Sequence, residues 1–198
     1  MPPEANSGDH RAALVSIVAD TPWLMGALRV VRSLGLPEWC IGAGAVRTTV
    51  WDVLGQRHDR QVPNDVDVAY FDPRDLSESG NQAWMAALAR LEPQIPWEVI
   101  NQAGVHLWYE RFFGCSLAPL APLASLEHAI ASWPETATCV GVRLGQDDRL
   151  EVIAPLGLSD LFERVIRRNP AVSLPVFRQR LASKRFEERW PETRIIRE

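Results

Sequence analysis

The stretch NDVDVAYFD, residues 64–72, constrains the fold of this chain more than any other segment. Its β-branched and aromatic residues alternate with other side chains, which predicts a strand over VDVAYF. On a strand, side chains two positions apart share a face, and their Cα atoms lie roughly 6.5–7 Å apart. Asp65 and Asp67 therefore point to one side of the predicted sheet. Val66 and Val68 point to the other side, where a core can form.

Two carboxylates on one strand face allow two interpretations. They repel each other unless a cation lies between them, and Mg²⁺ is bound by carboxylates together with substrate phosphates. The alternative is a strand face that is simply exposed to water. The pair alone does not separate a metal site from a solvated surface.

Upstream of the pair, the segment CIGAG predicts a short buried strand that runs into a glycine turn (residues 42–44). Gly42 and Gly44 permit close approach of the backbone, and the helix predicted to follow offers N–H groups and a positive dipole end to phosphate. Arg47 lies one turn into this helix, close to such a phosphate. The alternatives are an ordinary tight turn and an exposed arginine.

Downstream, Glu98 lies in the predicted strand IPWEVINQ, between Trp97 and Val99. An acidic side chain in the middle of a strand costs free energy unless it faces water, a partner or a metal. Glu98 is therefore the candidate for a third carboxylate in the same site. A solvent-facing position remains the alternative.

The remaining patterns predict an α/β (α+β) fold with four or five strands. Helices are expected over residues 7–20, 21–36, 45–54, 76–91, 125–133, 158–169 and 173–190. A hairpin is expected over residues 136–155, and residues 103–112 fit either a helix or a strand. We divide the chain into an N-terminal helical segment (1–36), a core (37–157) and a C-terminal helical segment (158–198).

Composition narrows the class of protein. Apolar residues make up 46% of the chain, enough for a core, and no apolar run is long enough to span a membrane. Cys40, Cys115 and Cys139 lack metal-ligand spacing and are interpreted as reduced core thiols of a cytoplasmic protein. Residues 164–198 are rich in Arg, but their aromatic residues recur at helix-core spacing. Nucleic-acid binding is therefore kept as an alternative and is not favoured.

The order of these patterns resembles the polymerase-beta superfamily of nucleotidyltransferases: strand, glycine turn, helix, Asp-x-Asp strand, helix, strand with an acid. More closely, IGAGAVRTTVWD, DVDVAYFD, WEVINQAGVHLWY, WPETATCVGVRL and APLGLSDLF are similar to a bacterial branch of nucleotidyltransferase-like proteins. This resemblance covers about residues 35–190. It implies a polymerase-beta-type fold, with a mixed sheet flanked by helices.

The resemblance also implies a reaction: metal-dependent transfer of a nucleoside monophosphate from an NTP to an unidentified acceptor hydroxyl, with release of pyrophosphate. The implied ligands of Mg²⁺ or Mn²⁺ are Asp65, Asp67 and Glu98. The implied phosphate-binding residues are Gly42 and Gly44, and Arg47 remains a candidate because of its position in the following helix. Ala43 stands where the family usually has a serine. The alternative is a catalytically inactive nucleotide- or protein-binding module on the same fold.

Overall fold

The computed structural model describes residues 7–57, 62–107 and 122–197. The helices in these ranges are α1 (Ser7–Ala19), α2 (Pro22–Leu34), α3 (Ala43–Leu54), α4 (Glu78–Leu91), α5 (Leu126–Ala131), α6 (Ser159–Phe162), α7 (Leu174–Lys184) and α8 (Phe186–Arg189). The strands are β1 (Trp39–Gly42), β2 (Val66–Tyr70), β3 (Trp97–Asn101), β4 (Gly141–Leu144), β5 (Leu150–Ile153), β6 (Val165–Arg167) and β7 (Arg194–Ile196). Two 3₁₀ helices span Gln102–Leu107 and Thr136–Thr138.

Five strands form a mixed sheet in the order β3-β2-β1-β4-β5. β2 and β3 are parallel, and every other neighbouring pair in this sheet is antiparallel. A parallel pair needs a crossover connection, which α4 supplies between β2 and β3. The mixed sheet flanked by helices confirms the predicted fold class.

The two faces of β2 differ as the alternation predicts. Val66 and Val68 are buried in the main hydrophobic cluster together with α1, α2 and α3. The opposite face carries Asp67 and Ala69, and Ala69 packs in a second, smaller cluster with Cys40 of β1. The carboxylate face of the sheet is therefore separated from the main core by the sheet itself.

Local signals set the start of α2 and α3. Thr21 occupies the N-cap position of α2 without a side-chain cap bond, and Pro22 is the first helical residue. Gly35 ends the helix with a φ of 69°, the left-handed conformation that glycine adopts without strain. α3 begins at Ala43, two residues before the predicted start, with Gly42 as its cap. Ala43 has a φ of 49°. Gly44 consequently lies in the first turn of α3 and not in a loop before it.

The predicted helix over residues 158–169 is correct only as far as Phe162. α6 ends at Phe162, Arg164 turns the chain with a φ of 54°, and the following residues form β6. β6 pairs in parallel with β7. Val165 and Ile166 are β-branched and favour a strand once a partner is available, and this partner lies about thirty residues away. The predicted helix over 173–190 is likewise broken at Arg185, which has a φ of 48°.

The main hydrophobic cluster takes residues from all three predicted segments. It includes Leu28 of α2, Trp51 of α3 and Trp190 near the C-terminus. The rings of Trp51 and Trp190 meet edge to face, with centroids 5.2 Å apart. The Trp190 indole N–H donates to the Asp52 carboxylate at 3.0 Å. The division at residues 36 and 157 stays a prediction.

The remaining sequence predictions have mixed outcomes. Cys40 and Cys139 are buried free thiols, and burial raises the pKa of each to about 12. Cys115 and residues 108–112 lie outside the described residues. No single described helix has both the length and the apolar character to cross a membrane. Only α1 and α2 taken together are long and apolar enough, and they are bent by 89° relative to each other.

Candidate metal and nucleotide site

The register of the parallel pair β2–β3 places Asp67 directly beside Glu98. Asp65 precedes β2 by one residue and reaches the same side of the sheet. Carboxylate oxygens of the three residues lie within 4.8 Å of one another. The structure thus brings together the three acids that the sequence singled out.

The three side chains of the carboxylate cluster (Asp65, Asp67 and Glu98) repel one another when they are ionised. Burial and, to a smaller extent, the negative charges of Glu98 and Asp65 together raise the pKa of Asp67 to about 6. Lys184 and the Gly44 N–H act in the opposite direction. A bound cation would relieve this repulsion, and an all-oxygen donor set suits Mg²⁺ or Mn²⁺. The residues present therefore fit a hard divalent cation.

The start of α3 touches this cluster through Gly44. Its backbone N–H donates to the Asp67 carboxylate. A β-carbon on Gly44 would lie 3.8 Å from Asp67 Oδ2 and 3.9 Å from Arg47 Nη2. Gly44 therefore lies between the carboxylate cluster and the arginine.

Gly42 has a different surrounding. A β-carbon there would lie 2.7 Å from the Trp133 ring and 2.9 Å from the Val140 carbonyl oxygen. The same carbonyl accepts the Ala43 N–H at 3.1 Å. The absence of a side chain at Gly42 thus permits packing between β1 and the segment that leads into β4.

Arg47 is buried, so the alternative of an exposed arginine is wrong. Its guanidinium carbon lies 5.4 Å from the Trp51 ring centroid and 5.0 Å from those of Phe186 and Trp190. Burial lowers the pKa of Arg47 to about 10, which leaves the side chain charged at neutral pH. Its Nε has no hydrogen-bond partner among the described residues. A buried cation beside the glycine turn is a suitable partner for an anion.

Lys184 is a functional candidate that the sequence reading missed. It is the only lysine of the chain. Its Nζ lies 3.5 Å from Asp65 Oδ2, across 119 positions of sequence. The basic and amphipathic pattern of α7 gives no sign of this contact. The only available signal was a single lysine among arginines.

The aromatic residues of the C-terminal segment belong to the core. Phe177, Phe186 and Trp190 are at most 2% exposed. They are therefore not available to stack on nucleic-acid bases, which agrees with the low rank that their spacing gave to this function.

Two solved structures define the class of this fold. One is an NMR structure described as revealing a CCA-adding enzyme head domain. Its sequence is 27% identical to this chain, and the TM-score is 0.78. The match covers 93% of this chain and 95% of that one. A structure of a tRNA-processing enzyme complex is 19% identical with a TM-score of 0.50 and shares the fold. The match to it covers 86% of this chain and 43% of that one. The fold and the carboxylate cluster together define a polymerase-beta-like nucleotidyltransferase domain.

The family follows from the sequence comparison. The family described as Nucleotidyltransferase matches residues 29–195, and the chain belongs to it. None of the curated proteins matches the chain. Family membership confirms the resemblance drawn from the motifs, and nucleotidyl transfer is the general activity that this family defines.

Proposed function

We propose that this protein transfers a nucleoside monophosphate from an NTP to an acceptor hydroxyl in a reaction that requires a divalent cation and releases pyrophosphate. The observation that carries the proposal is the convergence of Asp65, Asp67 and Glu98 beside the start of α3. Carboxylates from two strands and a helix N-terminus in contact with one of them match the needs of a metal-bound triphosphate.

The reaction is an in-line displacement at the α-phosphorus. The acceptor O–H loses its proton, and its oxygen forms a bond to the α-phosphorus. The bond between that phosphorus and the α,β-bridging oxygen breaks, and pyrophosphate leaves with the electron pair. Divalent cations, when bound, stabilise the charge on the attacking and leaving oxygens.

Each residue of the site has a separate role in this proposal. Asp65 and Asp67 hold the cations, and the Gly44 N–H fixes the orientation of the Asp67 carboxylate. Glu98 is the exposed member of the cluster, so it faces the acceptor, completes the acceptor-side metal site and helps to remove the proton. The start of α3 and the buried Arg47 attract the β- and γ-phosphates.

The likeness to a CCA-adding enzyme head domain makes RNA the first acceptor class to test. Small molecules with a free hydroxyl form the second class. The proposal for the site does not depend on which of the two is the acceptor.

A non-catalytic nucleotide-binding module is the second candidate, and the glycine turn is the observation that favours it. Ala43 lacks the hydroxyl that the family usually places there, and its N–H is bound to the Val140 carbonyl. The Gly44 N–H is bound to Asp67. Two of the four N–H groups that a helix start leaves free are thus already satisfied, so phosphate has fewer donors.

Label transfer from an α-phosphate-labelled NTP tests the proposal. The wild type is expected to label an acceptor in total RNA or in a small-molecule extract when Mg²⁺ is present. Asp67→Asn should lose the transfer. Asp148→Asn, a change at a largely exposed aspartate paired with Arg32, is the control and should keep it. Binding of Mg²⁺–NTP without transfer to any acceptor would favour the module, and full activity of Asp67→Asn would remove the pair from the site.

A further inference from the structure

Lys184 places its ammonium group beside the carboxylate cluster, where a metal ion would bind. Its ammonium group is 3.5 Å from one carboxylate oxygen of Asp65, and its charge also lowers the pKa of the neighbouring Asp67. Both partners of the ion pair are partly exposed, at 42% for Lys184 and 44% for Asp65. An ion pair of this exposure is weak and exchanges partners readily.

The ammonium group and a divalent cation compete for Asp65. The ammonium nitrogen lies 3.5 Å from Asp65 Oδ2, so a dication bound to the same carboxylate would lie close to this positive charge and repel it. Lys184 is the last residue of α7, and its long side chain reorients without a movement of the helix. Arg47 is also a cation near the site, but it is held between three rings and has no such freedom.

We propose that Lys184 exchanges partners during nucleotide binding: it neutralises Asp65 in the metal-free protein and binds the triphosphate once metal ions take its place. This inference rests on the proposed function. The incoming Mg²⁺–NTP brings both the cation that displaces the ammonium group and the anion that receives it. The lysine would thus oppose the binding of free metal and favour the binding of the metal–nucleotide complex.

The inference predicts opposite effects of one substitution on two affinities. Lys184→Met keeps the length of the side chain and removes its charge. Its affinity for Mn²⁺ alone should rise about fivefold, because the wild type has to break an exposed ion pair, worth up to about 1 kcal/mol, before the metal binds. Its affinity for Mg²⁺ with a non-hydrolysable NTP should fall by about the same factor or more. Both are measured by calorimetry.

Two control variants make the test specific. Lys184→Arg keeps the charge and should stay close to the wild type in both titrations. Arg178→Met removes one charge from the same helix, at a side chain that lines a groove formed by α7, α8 and β7. It should leave both affinities unchanged. Circular dichroism melts of all variants establish that each is folded at the titration temperature.

The outcomes separate this inference from the proposed function. Opposite shifts in Lys184→Met support the exchange. Unchanged affinities, or shifts in the same direction, overturn it while leaving the proposed function intact. A wild type that binds neither Mn²⁺ nor the metal–nucleotide complex overturns both.

Discussion

The surroundings of Asp67 raise its pKa and thereby link the stability of the fold to pH. Its side chain is held beside two other carboxylates, and burial together with their charges raises its pKa to about 6. In the unfolded chain the same carboxyl titrates near 3.9. The folded protein therefore binds a proton at Asp67 more tightly than the unfolded chain does, and without metal the ionised form destabilises the fold.

The sign of this linkage gives a pH-dependent prediction. Between about pH 4 and pH 6 the folded state retains the proton that the unfolded state has lost, so metal-free stability falls as pH rises. Above pH 6 the loss is complete. Asp67→Asn should therefore be more stable than the wild type at pH 7, by on the order of 2 kcal/mol, and equal to it near pH 4. Thermal melts in EDTA measure the difference, and a difference that does not change with pH would contradict the account.

The size of the side chain at position 44 gives a second prediction. A β-carbon there meets Asp67 and Arg47 at ordinary contact distances, so Gly44→Ala should fold normally and keep most of its nucleotide affinity. Gly44→Val adds methyl groups between the carboxylate and the guanidinium. It should weaken Mg²⁺–NTP binding at least tenfold, about 1.4 kcal/mol. Equal affinities of the two variants would show that this position is only structural.

Individual residues also show which parts of the site the sequence predicts. Asp65, Asp67 and Glu98 were found because alternation within a strand fixes the direction of a side chain. The contact of Lys184 with Asp65 and those of Arg47 with the Phe186 and Trp190 rings were not, since they join segments more than 100 residues apart. The direction of a long side chain across such a distance depends on packing that no local pattern records.

At the scale of elements, the junction between β1 and α3 carries two different glycines. Gly44 faces the site, whereas Gly42 faces the Trp133 ring and the Val140 carbonyl. The sequence analysis assigned both to phosphate binding. The structure gives Gly42 a packing contact, and its share in phosphate binding stays a prediction.

A matched pair of variants separates the two positions. Gly42→Ala places a β-carbon 2.7 Å from Trp133 and 2.9 Å from a backbone oxygen, and the backbone cannot move aside cheaply. Overpacking of this kind destabilises by about 1–3 kcal/mol. Gly44→Ala is the control and should change the free energy of unfolding by less than about 1 kcal/mol. Denaturant unfolding that gives both variants the same stability would contradict this assignment.

Strands β6 and β7 show where element prediction failed. Each has only three residues, and the hydrophobic spacing before β6 fits a helix. The strand conformation of β6 depends on its pairing with β7, which lies beyond two intervening helices. Longer elements with their own caps, such as α2 and α4, were predicted well because their signals are local.

The C-terminal segment packs against α3, the helix that carries Gly44 and Arg47. Trp190 contacts Trp51, donates to the buried Asp52 and covers Arg47. Trp190→Phe keeps an aromatic ring but removes the N–H donor and leaves Asp52 without this bond. It should destabilise the protein by about 1–3 kcal/mol. The melting temperature should fall by roughly 2–10 °C. An unchanged melting temperature would mean that the bond does not contribute.

Pyrophosphate release by the wild type and by Glu98→Gln shows whether the carboxylate cluster catalyses the proposed nucleotidyl transfer. Glu98 is exposed beside Asp67, so its replacement should leave the fold and Mg²⁺–NTP binding nearly intact. Turnover should fall by at least about 100-fold, because the acceptor-side interaction is needed mainly in the transition state. Release is measured with each NTP and a pool of RNA and small-molecule acceptors. Equal metal-dependent release from both proteins would show that Glu98 takes no part in catalysis.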